Sequence, residues 1–300
     1  MPTPTSAPRS AVAALRERPT ADVLIIGGGI NGIATFRDLA LQGIDVVLVE
    51  RDDYVSGASA ASSHMIHGGI RYLENGEFRL VQESVHERNA LLRLAPHYVR
   101  PLPTTIPIFS TFSSILSAPF RFIGFKGGAK KERGAVLIKA GLTMYDTFSR
   151  DGGRVPRHQF RGARASKELL PKLRDDVKYT ATYYDASMHD PERLALDVLN
   201  DGLAAGDNAR AANYVEAVDM TENGVRLRDV TTGDEFDVKA TLVVNASGPW
   251  TDLTNKALGA DSAYMGGTKG SHIVLDHPEL YEACNGREIF FEFTDGRIVL

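Results

Sequence analysis

The chain contains one cysteine, Cys284, among 300 residues. No intrachain disulfide can form, and neither a Cys-based zinc site nor a CxxC redox pair is available. A basic excess is also missing: 34 Lys and Arg stand against 38 Asp and Glu, a net charge of −4. That balance gives no support to nucleic-acid binding. No run of about eighteen uncharged apolar residues occurs, so nothing reads as a membrane-crossing helix. The first twenty residues are rich in Pro, Ser, Thr, Ala and Arg, and their longest apolar run, residues 11–15, is too short for a secretory leader. This composition predicts a disordered tail over residues 1–20, with a weak transit signal as the alternative. What is present is ordinary: 43% hydrophobic and 24% charged residues, enough for a sizeable core.

The most informative stretch follows the tail. Residues 22–26 form a short apolar β-type run, residues 27–32 read GGGING, and a helical pattern continues to Leu41 and ends at Gly43. Residues 45–50 form a second strand, which completes a β–α–β unit. The glycines at 27, 29 and 32 have separate mechanical roles. Gly27 permits the tight turn, Gly29 lets the backbone approach a pyrophosphate, and Gly32 allows close helix–strand packing. The helix start presents N–H groups and a positive dipole end to phosphates. Glu50 lies eighteen positions after Gly32, where a carboxylate accepts hydrogen bonds from an adenosine ribose and disfavours a 2′-phosphate.

Two later segments favour FAD over NAD. Residues 59–72 are crowded with small, hydroxylated and glycine residues that bring backbone close to a flavin. Residues 245–248 then provide a second glycine turn after a strand over 242–245, read as buried. Elsewhere, residues 77–94 carry a helical apolar stripe, prolines at 101, 103, 107 and 119 break the regularity of 101–128, and residues 179–184 read as a strand. Asp190 is placed as N-cap of a helix opening at Pro191. A β-meander follows over 213–242, with turns at 222–224 and 232–234. The chain closes on two strand-like runs around an Asp-Gly turn, which predicts a sheet continuing past Leu300 and hence a truncated chain.

The motifs IGGGING (26–32), SSHMIHGGIRYLE (62–74), FRLVQE (78–83), VNASGPW (244–250) and KGSHIV (269–274) resemble those of the FAD-dependent glycerol-3-phosphate dehydrogenases. That family lies within the larger group of D-amino-acid and sarcosine oxidases. The likeness runs from about residue 22 to the end. Departures are the Ile33-Ala34-Thr35 helix start, Ser247 in place of a more usual Thr, and a long segment over 108–134. Family members also run well past 300 residues. The resemblance implies an α/β fold: a Rossmann-type FAD-binding domain of the glutathione-reductase-like, D-amino-acid-oxidase-like kind. A discontinuous substrate or cap domain with a mixed or antiparallel sheet accompanies it. The expected division assigns residues 21–100 and 180–260 to the FAD domain and residues 101–179 and 261–300 to the cap.

The implied reaction is oxidation of sn-glycerol 3-phosphate at C2 to dihydroxyacetone phosphate, with hydride passing to flavin N5 and electrons then to a membrane quinone. An oxidase using oxygen and a non-catalytic FAD-binding fragment are the competing readings. The expected cofactor contacts are Gly27, Gly28, Gly29, Asn31, Gly32, Glu50, Arg51, Ser59, Ser62, Ser63, His67, Gly68, Gly69, Ala246, Ser247, Gly248 and Trp250. Arg71, Tyr72 and Lys269 are the substrate candidates, because a dianionic phosphate calls for guanidinium and ammonium partners. His272 is expected to contact substrate and accept its proton, and Arg71 to serve catalysis with it; a strand-edge histidine and a surface arginine are the plainer alternatives. No metal is expected, since the His64, His67 pair lacks companion acids or thiols. Apolar residues 109–125, followed by Lys126, Lys130, Lys131 and Arg133, suit a peripheral membrane contact; a cap loop packed on its own core is the alternative. The implied location is cytoplasmic, at the inner face of the membrane. Partners are the substrate, the quinone, the membrane surface and a second copy in a homodimer, with no nucleic acid.

Overall fold

The computed structural model describes residues 9–70, 72, 77–111, 134–150, 155–268, 270–292 and 298–299. In chain order the elements begin α1 (Ser10–Glu17), β1 (Thr20–Ile26), α2 (Ile30–Leu41), β2 (Val46–Val49), β3 (Met65–Ile66), α3 (Phe78–Leu94) and β4 (Val99–Ile108). Next come α4 (Ala135–Ser149), β5 (Gln159–Gly162), α5 (Ala163–Leu169), β6 (Tyr179–Met188), α6 (Pro191–Leu203), β7 (Ala209–Ala212), β8 (Val215–Thr221) and β9 (Gly224–Asp229). The last are β10 (Glu235–Asn245), α7 (Thr251–Ala257), α8 (Pro278–Cys284), β11 (Glu288–Ile289), β12 (Phe291–Glu292) and β13 (Ile298–Val299).

Two compact units result, Met1–Ser63 with Asp190–His272 and His64–His189 with Ile273–Leu300. The first is built on a six-stranded sheet in the order β7-β2-β1-β10-β9-β8, parallel from β7 to β10 and antiparallel beyond. Period-two alternation sorts its side chains. Val23, Ile25, Val46 and Leu48 pack with Ile33, Phe36 and Ala40 of α2 and Ala195 and Leu199 of α6. Leu24, Ile26, Val47 and Val49 face the other way, onto Val12 and Leu15 of α1 and the meander residues Val225, Leu227 and Val238. Helix α2 ends as its sequence predicts: Gly43 takes φ +79°, its N–H donates to Ala40 O, and Ile44 N–H donates to Leu39 O.

The first unit corrects three expectations. The disordered tail is replaced over residues 10–17 by α1, whose Val12 and Leu15, three residues apart, are both fully buried; residues 1–8 lie outside the described residues. Asp190 precedes α6 but takes a left-handed conformation, and its side chain makes no cap bond. The strand over 242–245 is the end of β10 rather than a buried element: Leu242 is 56% exposed, because only β1 pairs with that end.

The second unit centres on a sheet ordered β11-β4-β6-β3, with β5 also pairing β6. Here the prolines at 101, 103 and 107 do not break the chain, and β4 pairs with β6 over ten consecutive positions. Their alternate spacing places every missing N–H on the outer edge of β4, which β11 pairs only at Thr104 and Thr105. Val81 and Val85 of α3 and Leu142 and Tyr145 of α4 pack on Ala181 and Tyr183 of β6. That packing draws α3 and β4 into this unit, so its boundaries fall after Ser63 and before Asp190 rather than near residues 100 and 180. The closing hairpin read from the Asp-Gly turn is present as the β12–β13 pair.

Candidate functional site

The first unit holds a cavity of about 590 Å³ at the C-terminal ends of β1 and β2, within the size of small-ligand sites. Its floor is the β1–α2 turn. Gly27 takes φ +116°, and a Cβ there would lie 2.5 Å from Ala246 O. A Cβ on Gly32 would lie 1.9 Å from Gly27 O, so the helix can approach the strand only because that carbon is absent. Gly29 is the extended residue before α2, and the first turn of that helix carries no acidic side chain. The positive end of the helix thus meets no acidic side chain from the helix's own first turn.

Glu50, just past β2, also lines the cavity and is bonded to that turn. Gly28 N–H donates to its Oε2 (2.6 Å) and Asp52 N–H to its Oε1 (2.8 Å), which fixes the carboxylate at the cavity surface with lone pairs to spare. Ser59 also lines the cavity, and its hydroxyl accepts from Ile30 N–H (3.0 Å), capping α2 from a distant loop. Gly57 makes room for Trp250: a Cβ would sit 3.1 Å from Trp250 Cζ3. Trp250 stands 42% exposed at the cavity edge, so it is not a core residue.

The second glycine turn is organised by a residue that motif reading passed over. Asn245 Oδ1 accepts from Ser247 N–H (3.1 Å) and Ser247 Oγ (2.6 Å), and its Nδ2 donates to Thr251 O and Asn255 Oδ1. Its place at the end of a strand before Ala-Ser-Gly was the available signal. Glu216, Ala217, Leu253 and Thr254 complete the wall, and no local pattern marks them. Behind the wall, burial raises the Tyr54 phenol well above its ordinary value, with Asp53 and Glu50 adding to the effect and Arg9 opposing it.

The structure therefore gathers Gly27, Gly29, Asn31, Glu50, Arg51, Ser59, Ala246, Ser247, Gly248 and Trp250 around one cavity, with Gly28 and Gly32 supporting them from behind. Ser62 and Ser63 are exposed and outside the cavity lining. His67, Gly68, Gly69 and Tyr72 belong to the second unit, where His67 is exposed and tilts against Tyr72 with ring centroids 6.4 Å apart. His272 is exposed on an irregular segment and is not among the cavity residues. Arg71 and Lys269 lie outside the described residues, as do residues 112–133, which hold all but the first three residues of the expected membrane contact over 109–125 and its basic followers. No helix of the described residues is long and apolar enough to cross a membrane.

A dinucleotide fits this arrangement. The first turn of the helix carries no acid of its own, the glycines leave room for close backbone approach, and the Glu50 carboxylate borders the same cavity with lone pairs to spare. Comparison with known proteins agrees. A glycerol-3-phosphate dehydrogenase of Synechocystis is 37% identical over 273 residues, covering 85% of this chain and 45% of its own length. The mitochondrial glycerol-3-phosphate dehydrogenase of Mus musculus is 32% identical over 95% of this chain and 38% of its own. The chain thus spans less than half the length of these relatives. Among solved structures, the glycerol-3-phosphate dehydrogenase from Bacillus halodurans complexed with FAD superposes with a TM-score of 0.54 at 24% identity, covering 82% of this chain and 38% of that one. The profile of the FAD dependent oxidoreductase family (DAO) matches residues 22–300, and the chain belongs to that family of FAD-binding α/β proteins.

Proposed function

We propose that the chain supplies the FAD-binding unit and part of the substrate-handling unit of an enzyme that oxidises sn-glycerol 3-phosphate to dihydroxyacetone phosphate. One observation carries the cofactor side of this reading: the start of α2 and the Glu50 carboxylate border a single cavity, the donor–acceptor pair that a dinucleotide needs. The names of two relatives above 30% identity support the substrate. FAD, when bound, supplies the two-electron acceptor. In this reading Arg71 and Lys269 hold the phosphate, Tyr72 contacts the substrate, and His272 takes the hydroxyl proton. Electrons leave to a membrane quinone. The apolar and basic residues of 109–133 bring the enzyme to the cytoplasmic face of the membrane, where a second copy completes a homodimer.

The test is the absorbance of the purified full-length protein before and after anaerobic sn-glycerol 3-phosphate. Flavin bands that bleach with this substrate and not with glycerol are expected. Persistent bands refute the substrate, and absent bands refute the cofactor site. Turnover in air with stoichiometric peroxide would replace the quinone by oxygen as acceptor. Deleting residues 109–125 is expected to abolish sedimentation with anionic liposomes; unchanged sedimentation removes the membrane role from that segment.

A further inference from the structure

In the second unit, three buried polar side chains from three elements meet at the Asp185 carboxylate, which also holds one backbone amide. Arg88 of α3 is 0% exposed, and Tyr145 of α4 and Asp185 of β6 are each 1% exposed. Asp185 Oδ1 accepts from Gly68 N–H (2.8 Å), from Tyr145 Oη (3.0 Å) and from Arg88 Nη1 (3.2 Å). Arg88 is held in turn, donating from Nη1 to Tyr184 O and from Nη2 to Ser149 O and Asn89 Oδ1. Burial, with Asp185 adding to it, pushes the Tyr145 phenol well above its ordinary value, so that hydroxyl stays a donor throughout the physiological range.

Gly68 is pressed onto this network. A Cβ at that position would lie 1.9 Å from the Tyr145 hydroxyl and 2.9 Å from Val85 Cγ2. The next residue, Gly69, takes φ +73° and starts a turn that Tyr72 N–H closes onto Gly69 O (2.8 Å). The Tyr72 ring lies 2.9 Å from where a Cβ on Gly69 would be. Asp185 thus grips the chain one residue ahead of the turn that presents Tyr72. A buried Arg–Asp pair contributes little net stability against apolar side chains of similar volume, whereas its geometry is highly specific. Here the bonds of that pair hold the Gly68 amide in place.

We propose that Asp185, braced by Arg88 and Tyr145, is a positioning residue that pins the 67–72 segment through the Gly68 amide and so sets the enzyme's affinity for its substrate. This rests on the proposed contact between Tyr72 and sn-glycerol 3-phosphate. The test uses full-length holoenzyme carrying Asp185→Ala, Asp185→Asn or Tyr145→Phe. Leu142→Ala serves as a control: it removes a side chain, 1% exposed, from the same core beside Tyr145 without touching the network. KM and kcat are measured together with hydrogen exchange of the peptide spanning residues 64–72.

Asp185→Ala removes a charge-assisted acceptor and is expected to raise KM about tenfold or more while kcat changes less than about threefold. Exchange at 64–72 should rise with it. Asp185→Asn keeps an oxygen for the Gly68 amide and should return KM to within about threefold of the parent. Leu142→Ala should lower thermal stability without moving KM or the exchange of that peptide. If Leu142→Ala and Asp185→Ala raise KM alike, or if Asp185→Ala leaves the 64–72 exchange unchanged, the proposal falls. Should Asp185→Ala not accumulate as folded flavoprotein, Tyr145→Phe decides. It keeps the ion pair but removes the bond Tyr145 donates to Asp185 and the one it accepts from Arg88, so faster exchange at 64–72 supports the proposal and unchanged exchange overturns it. If the parent enzyme is not reduced by sn-glycerol 3-phosphate, the substrate reading fails on its own, and the exchange data alone judge the clamp.

Discussion

Replacing Glu50 by Gln keeps the size and shape of the side chain while changing what it accepts. In the parent, each carboxylate oxygen takes one backbone N–H, from Gly28 at 2.6 Å and Asp52 at 2.8 Å. Glutamine has one acceptor oxygen, so one of these amides must face the side-chain NH2 and lose its partner. A hydrogen bond to a charged group contributes about 1.5–3 kcal/mol. Because Glu50 is half-buried, water compensates part of the loss, and a destabilisation of about 1.5 kcal/mol is expected without FAD. With FAD the proposed ribose contact adds a second loss, since the lone pairs offered to the diol fall from a charged to a neutral acceptor. At about 1.4 kcal/mol per factor of ten, that second loss weakens FAD binding roughly tenfold to hundredfold. Thermal unfolding of the apoprotein separates the first effect. Calorimetric titration of apoprotein with FAD measures the second. A Glu50→Gln variant that binds FAD as tightly as the parent would refute the assignment of Glu50 to the nucleotide.

Three further outcomes are expected. Gly32→Ala puts a methyl group 1.9 Å from Gly27 O, a backbone atom that cannot step aside, so the β1–α2 turn should open and the protein should purify without flavin absorbance. Normal flavin content in that variant would contradict the close helix–strand contact. Leu15→Ala, in the helix that replaces the expected tail, removes a fully buried side chain and should destabilise the protein by about 2–4 kcal/mol, read as a lower denaturation midpoint in urea. An unchanged midpoint would mean that α1 does not pack on the sheet. Burial, reinforced by Asp185 and opposed by Thr104, pushes the Glu288 carboxyl from its ordinary 4.5 up to about 7. The folded state then holds this proton more tightly than the unfolded chain, so the group's contribution is complete below 4.5 and is lost as pH rises through about 7. Glu288→Gln should flatten the fall in Tm across that window, and a fall of unchanged slope would clear Glu288 of responsibility.

The β1–α2 turn is readable in the residues because everything it requires is local. The positive φ of Gly27, the helix contact at Gly32 and the carboxylate at the end of the next strand are set within one β–α–β unit, and steric exclusion of a Cβ leaves glycine as the residue that fits. The end of α2 at Gly43 and the hairpin turn at Gly224 follow from the same freedom. Other features depend on groups far apart in sequence. The composition of residues 1–20 resembles a tail, yet Val12 and Leu15 find a core that β1, β2 and the distant meander assemble together. The prolines of β4 look disruptive until β6 shows which edge of the strand must supply N–H groups. Asp185 and Arg88 are ordinary charged residues in the linear chain. Only the packing of α3 and α4 on β6 buries both and brings Arg88 and the Gly68 amide to the same Asp185 oxygen. The sequence by itself thus determined the glycine turn and the carboxylate that border the cavity, because backbone sterics act over a few residues. Tertiary structure decided which distant side chains wall the cavity and which buried charges meet, because long-range strand pairing and helix packing leave no period in the chain to be read.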